Sequence, residues 1–334
     1  MKTKVLTISI AAYNVEKYLS QTLSSLDDDR FSDKIEVLII DDGSKDGTSA
    51  IAERYQEKRP NTFKYVPKPN GGHGSTINKG IELATGKYFR VIDGDDWVDK
   101  EAFNQYIKKL ESTDTDMVLT RHMMVSENEK QLVDLVHGLV PGENYSLDEE
   151  QRIENVTLHM LTVKTHLLKD NNVRITEKCF YVDVEFIIWA VFLSSNVTYF
   201  DDIVYLYRVG NVNQSISKKS MLKNVEMQKT VSQKLVILLK DFGNKGISDN
   251  KKRLLYRRVL NSVGATTRTY LLLDNYSESK KSVINFDLSI KGYNPSFYAE
   301  TNKELFYKIV RVGNYLFLRP VRLAYRIWCK KYEQ

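Results

Sequence analysis

Tyr88-Phe89-Arg90-Val91-Ile92-Asp93-Gly94-Asp95-Asp96-Trp97 is the stretch that decides the fold. A short run rich in aromatic and branched residues reads as a buried strand, and it stops abruptly in three carboxylates within four positions. Carboxylates so close together repel unless a positive group holds them. A hard divalent cation, Mg²⁺ or Mn²⁺, prefers such oxygen ligands and fills its remaining positions with water and phosphate oxygens. The segment therefore predicts either a metal-assisted phosphate-ester site or a solvated acidic turn.

The residues on either side of it favour the first reading. Val5–Ala11 is a nearly continuous apolar run, as expected of a strand buried on both faces of a parallel sheet. Val15–Leu26 carries Val15, Leu19, Leu23 and Leu26 at helical spacing, and Ile35–Ile40 is a second strand running into Asp41-Asp42-Gly43-Ser44. A helix through Tyr55 follows, then a strand at Phe63–Val66, the loop Pro69-Asn70-Gly71-Gly72-His73-Gly74-Ser75, and a helix at Thr76–Ala84. Strands alternating with helices predict an α/β fold, a mainly parallel sheet flanked by helices. Ligands on such sheets bind beyond the carboxyl ends of the strands, where Asp41-Asp42, the glycine loop and the acidic turn all fall. Further along, Asp116–Thr120 and Val197–Arg208 read as strands, and Asp148–Asn155 and Glu185–Leu193 as helices. Helices are expected at Lys219–Phe242, Lys251–Asp274 and Lys303–Lys331.

Composition narrows the class. The 334 residues are 42% hydrophobic and 28% charged, ordinary for a globular protein, and no window approaches the length of a membrane span. Cys179 and Cys329 are too few for a disulfide scaffold or a cysteine-ligated metal, which fits a reducing cytoplasm. Residues 303–334 hold eight Lys/Arg and two Asp/Glu, so the tail accounts for the whole net charge of +6. The balanced remainder does not indicate nucleic-acid binding.

The ordered set Ala11-Ala12-Tyr13-Asn14-Val15-Glu16, Ile40-Asp41-Asp42-Gly43-Ser44, Asn70-Gly71-Gly72, Asn78-Lys79-Gly80 and Asp93-Gly94-Asp95-Asp96-Trp97 resembles family 2 glycosyltransferases. The match is clear over about residues 3–110 and looser to 217. The resemblance implies a GT-A fold and an inverting transfer, by a hexosyl- or N-acetylhexosaminyltransferase, from a nucleotide-sugar donor (a UDP-sugar) to an acceptor hydroxyl. It implies a catalytic domain at 1–217, with its nucleotide half at 1–110 and its acceptor half at 111–217, and a helical extension at 218–334. Relatives of this kind build bacterial surface polysaccharide, teichoic acid or glycoprotein glycans, on glycan, lipid-linked or protein acceptors. The other readings are a nucleotidyltransferase on a similar sheet and a non-catalytic partner subunit.

The resemblance also implies roles, position by position. Asp42 would accept a hydrogen bond from a uracil-type base, and Tyr13 would lie against base or ribose, unless it packs in the core. Ala11, Asn70, Gly71, Asn78, Asp93 and Gly94 belong to the same nucleotide-binding set, Gly94 allowing the backbone close to a phosphate. Asp95 would ligate Mg²⁺ or Mn²⁺, Asp93 would assist, and Asp96 would serve the structure. Trp97 would form a sugar-facing wall or pack beneath the site. Many relatives carry Arg just before the Asn-x-Gly, where this chain has Ile77, so Lys79 or His73 would meet the diphosphate instead, or its charge would be left to the metal. Asp183 matches the second acid of the family's Glu-Asp pair and would be the general base, with Glu185 as its competitor; Val182 replaces the first acid. Arg208, in a segment running to Gln214-Ser215-Ile216-Ser217, would contact phosphate or pair with a carboxylate.

In the tail, Arg322, Arg326 and Lys330 recur on one helical face beside apolar and aromatic residues. Such a helix is expected to lie on the inner face of the plasma membrane, to pack on the protein's own body, or to join a homodimer.

Overall fold

The computed structural model describes residues 4–210 and 217–332. The chain forms two compact units, residues 1–211 with 248–254, and residues 212–247 with 255–334.

In the first unit β1 (Leu6–Ala12), α1 (Glu16–Leu26), β2 (Ile35–Asp41), α2 (Thr48–Lys58), β3 (Phe63–Pro67), α3 (His73–Leu83) and β4 (Tyr88–Asp93) alternate as the periodicity predicts. Strands β3, β2, β1 and β4 are adjacent and parallel, which sets Ala12 beside Asp41 and Ala11 beside Asp93. Three of the sequence's polar turns thus start from one sheet edge. Behind that edge Ile8, Ile10, Val37 and Ile39 pack with Leu19 and Leu23 of α1 and Ile51 of α2 in one buried cluster.

Beyond β4 the sheet becomes mixed. The chain continues through β5 (Trp97–Val98), α4 (Lys100–Ser112), β6 (Met117–Val125), β7 (Lys130–Val133), β8 (Asn144–Ser146), β9 (Leu161–Lys164), α5 (Thr165–Asp170), α6 (Asp183–Leu193) and β10 (Asn196–Arg208). β9 lies antiparallel between β4 and β6, β10 runs parallel to β6, and β5 returns antiparallel along β10. The expected helix at 148–155 is absent. Asn250 instead donates to the carbonyls of Leu147 and Glu150, and Arg253 to those of Gln151 and Ile153, so this segment's carbonyls are satisfied without helical bonds.

The second unit is helical. Its elements are α7 (Lys218–Lys223), α8 (Val225–Asn244), α9 (Asp249–Leu272, whose first residues belong to the first unit), α10 (Tyr276–Tyr293), α11 (Pro295–Thr301), α12 (Leu305–Tyr315) and α13 (Leu318–Tyr332). The helix expected over 303–331 is broken, because Gly313, Asn314 and Tyr315 adopt positive φ. Two bonds hold the break in place: buried Asp287 accepts from Tyr315 Oη at 2.6 Å and pairs with Arg311 at 2.6 Å. Two arginines of the basic face pack on the protein's own body, one of the three expected placements. Arg322 donates to the carbonyls of Leu273 and Asp274, and Arg326 to that of Leu273, satisfying acceptors at the carboxyl end of α9. The side chain of Lys330 and residues Gln214-Ser215-Ile216 lie outside the described residues.

Candidate active site at the carboxyl edge of the sheet

The acidic turn is held from three sides. Gly94 N–H donates to Ala11 O at 3.0 Å, and Thr22 Oγ1 of α1 donates to the carbonyls of Gly94 and Asp96 at 3.0 and 2.6 Å. A Cβ on Gly94 would sit 2.8 Å from Ala11 O. The glycine is therefore needed for the turn to lie against β1, a reason distinct from the phosphate approach expected of it.

The three acids are not equivalent. Asp96 is buried; its Oδ2 accepts from Tyr205 Oη at 2.6 Å and its Oδ1 from Arg208 N–H at 2.8 Å. Asp93 and Asp95 are only partly buried. Burial, with Asp93 as the next cause, pushes the Asp95 carboxyl up to about 6. Asp93 is raised by burial and by the Asp183 charge, against the opposing pull of His73. His73 Nε2 stands 3.5 Å from Asp93 Oδ1.

Behind the turn lies a buried cation that the sequence did not flag. Arg90 of β4 is fully buried, donating to Thr162 Oγ1 at 3.1 Å and to the carbonyl of His159, between the rings of Tyr106 and Tyr205. It thereby fixes the backbone of a 3₁₀ turn at Leu158–Met160. The His159 ring of that turn stacks on Tyr207, centroids 4.2 Å apart. Asp93, Asp96 and His159 can each bring one ligand atom within 4.8 Å of the others. Asp95, the expected metal ligand, is not in that trio, and Asp96, which is, already accepts two hydrogen bonds.

Asp183 opens α6, and its charge raises both Asp93 and Tyr207, so it stands near the acidic turn. Glu185 does not compete for that place. It is fully buried, and its Oε2 accepts from Thr176 N–H and Oγ1 at 3.0 and 3.1 Å. Val182 is buried too.

The nucleotide set divides. Tyr13 is 49% exposed just past β1, so it is not a core residue. Asp42 is buried, and its carboxylate accepts from Gly71 N–H at 2.8 Å, Gly72 N–H at 2.7 Å and Lys68 Nζ at 2.6 Å. Asn70 Nδ2 donates to Asp42 O, closing the loop over β2. Asn78, expected at the nucleotide, spends its amide on Ile175 and Glu177, tying α3 to the segment ahead of α6. Lys79 pairs with Glu82 on the surface of α3, 2.6 Å apart. Arg208 lies between the rings of Tyr18 and Trp97, 4.7 and 4.5 Å from their centroids, and donates to Asp95 O at 2.9 Å. Trp97 thus packs against a cation that braces the acidic turn.

Residues 7–170 match the family described as glycosyl transferase family 2. They form a family 2 glycosyltransferase domain. Among its relatives, the putative glycosyltransferase EpsH of Bacillus subtilis is 35% identical over 134 residues, 40% of this chain and 38% of that protein. Glycosyltransferase GlyA of Streptococcus pneumoniae is 22% identical over 273 residues, 76% of this chain and 37% of that protein. The alignments thus span under two-fifths of these curated relatives. S. aureus TarS 1-349 has the same GT-A fold, with a TM-score of 0.71 at 21% identity over 97% of this chain and 92% of that one. TarS 1-349 has also been solved with UDP and with UDP-GlcNAc. The acidic turn and the glycine loop lie within the matched residues, and Asp183 lies beyond them in the same compact unit.

Proposed function

We propose that the chain transfers a sugar from a UDP-sugar to an acceptor hydroxyl, with inversion, in the assembly of a bacterial surface glycan. The observation that carries the reading is the family 2 match over residues 7–170, whose acidic turn and Asp42 loop start from one sheet edge. UDP as donor nucleotide is supported by the TarS complexes, and a surface glycan by the kinship with the minor teichoic acid protein GgaB of Bacillus subtilis. Tyr13 supplies an aromatic face at the edge where the nucleotide would lie.

Asp183 is assigned as the general base that takes the acceptor's proton as its oxygen attacks the anomeric carbon. One carboxylate suffices for a single displacement, so Val182 at the other family position does not remove the mechanism. The donor chemistry of the turn fits a divalent cation, since carboxylates that raise one another favour a positive charge between them. Asp95 is assigned to hold Mg²⁺ or Mn²⁺, with Asp93 assisting. When bound, such a cation would neutralise the departing diphosphate. A mannosyltransferase of the same fold, from Pyrobaculum calidifontis, was solved with GDP-Man and Mn²⁺, at 14% identity and a TM-score of 0.52.

The test is UDP release from a panel of UDP-sugars with Mn²⁺ and candidate acceptors. Asp95→Ala and Asp183→Asn are each expected to lower turnover by at least about 100-fold. Near-normal turnover in both variants would sink the assignment, and release of pyrophosphate from a nucleoside triphosphate would replace it with nucleotidyl transfer.

A further inference from the structure

We propose that the outward apolar face of α12 and α13 docks this chain on an anionic lipid bilayer.

Helix α13 is apolar on two sides. One side is settled in its own unit, where Leu318 and Cys329 are buried and Arg322 and Arg326 turn toward the end of α9. The other side faces solvent. Leu316 is 72% exposed, Leu323 61%, Ile327 60% and Trp328 55%, with Phe317 beside them. At 3.6 residues per turn Leu323, Ile327 and Trp328 fall within an arc of about 140° on α13, with Leu316 and Phe317 in the turn that precedes it. Leu305 and Ile309 form a second exposed apolar row on α12. Single exposed apolar residues are ordinary, but a contiguous row of large ones marks a surface that something covers.

Charge selects the occupant. Residues 305–332 contain seven Lys/Arg and no Asp/Glu. A second copy on the same face would bring the exposed Lys308 and Arg319 of both copies together, with no Asp/Glu on these helices to oppose them. An anionic bilayer takes up the apolar row and the cationic flank at once. Lys308 and Arg319 are exposed on these helices, placed to meet headgroups. No helix of the described residues is long and apolar enough to cross a membrane, so the fit is to a helix lying on the surface.

The full chain is mixed with phosphatidylcholine vesicles, with or without phosphatidylglycerol, and pelleted. The expected result is binding to the anionic vesicles at least about tenfold stronger than to the neutral ones. Leu323→Glu with Ile327→Glu is expected to weaken it by about tenfold or more. Both side chains are exposed, so the melting temperature of that variant is expected to stay unchanged. Leu288→Glu, placing a carboxylate at another exposed leucine, should leave vesicle binding as it was. The proposal fails if the wild type stays in the supernatant with anionic vesicles, or if the double variant pellets equally. It also fails if the wild type is a dimer that the double variant dissociates while neither binds lipid, which would assign the face to a second copy.

Discussion

Lys68 Nζ lies 2.6 Å from Asp42 Oδ1, and this pair is the anchor of the glycine loop. The two carboxylate oxygens also take the N–H groups of Gly71 and Gly72, and Ser75 Oγ reaches Oδ1 at 3.2 Å. Asp42→Ala strands a partly buried ammonium and two loop amides. It is expected to cost about 3 kcal/mol, read as a lower urea midpoint. Lys68→Ala should also destabilise, and the two losses should not add, because both report one network. Unchanged stability in Asp42→Ala, with donor binding lost, would mean that Asp42 serves the base and not the loop.

The Asp95 carboxyl makes a pH prediction with a definite sign. Its ordinary value of 3.8 rises to about 6 in the fold, so the folded state holds the proton more tightly. Its contribution to stability is full below about pH 4 and fades as pH rises through about 6. Asp95→Asn should therefore stabilise the metal-free protein at about pH 7.5, by on the order of 2 kcal/mol, and have little effect near pH 4. Melting temperatures at the two pH values check this; a variant destabilised at neutral pH would overturn the sign. Mn²⁺ should raise the wild-type melting temperature more than that of the variant.

Asp183 and Glu185 separate in one experiment. Asp183→Asn is expected to lower kcat by at least about 100-fold while donor affinity holds. Glu185→Gln breaks the charged contact with Thr176 inside the fold, so it should lower the melting temperature and leave turnover per folded molecule near normal. The opposite pattern would move the base to Glu185.

Arg208 braces the acidic turn through its planar group, so a charge alone cannot replace it. Arg208→Lys keeps the charge but loses the stacking on Tyr18 and Trp97 and the shaped bond to Asp95 O. A loss of about 1–2 kcal/mol in chemical denaturation is expected. A variant as stable as the wild type would show that the stacked pair does not hold the turn.

The elements that build the sheet edge were legible because their signals are local. Strands β1, β2 and β4 are largely apolar runs, interrupted by Thr7 and Ser9, by Glu36 and by Arg90, and α1 shows its stripe at every third or fourth residue. The break inside 303–331 was harder to read, since a single Gly313 is tolerated in many helices. Asp287, 28 residues before Tyr315, is what holds it. The turn at 148–155 depends likewise on Asn250 and Arg253, about a hundred residues later.

The chain's own pattern was enough to gather Asp42, the glycine loop and the acidic turn at one edge of an α/β sheet. Alternating strands and helices leave each polar turn at a carboxyl end. The partners of each side chain at that edge were visible only in the folded molecule. A carboxylate's place in the chain does not say who donates to it. Asp96 is occupied by Tyr205 and Arg208, more than a hundred residues away, and Asn78 by Ile175. Arg90 and His159 carry no motif at all, and they join the site because a buried guanidinium must find acceptors wherever the fold brings them.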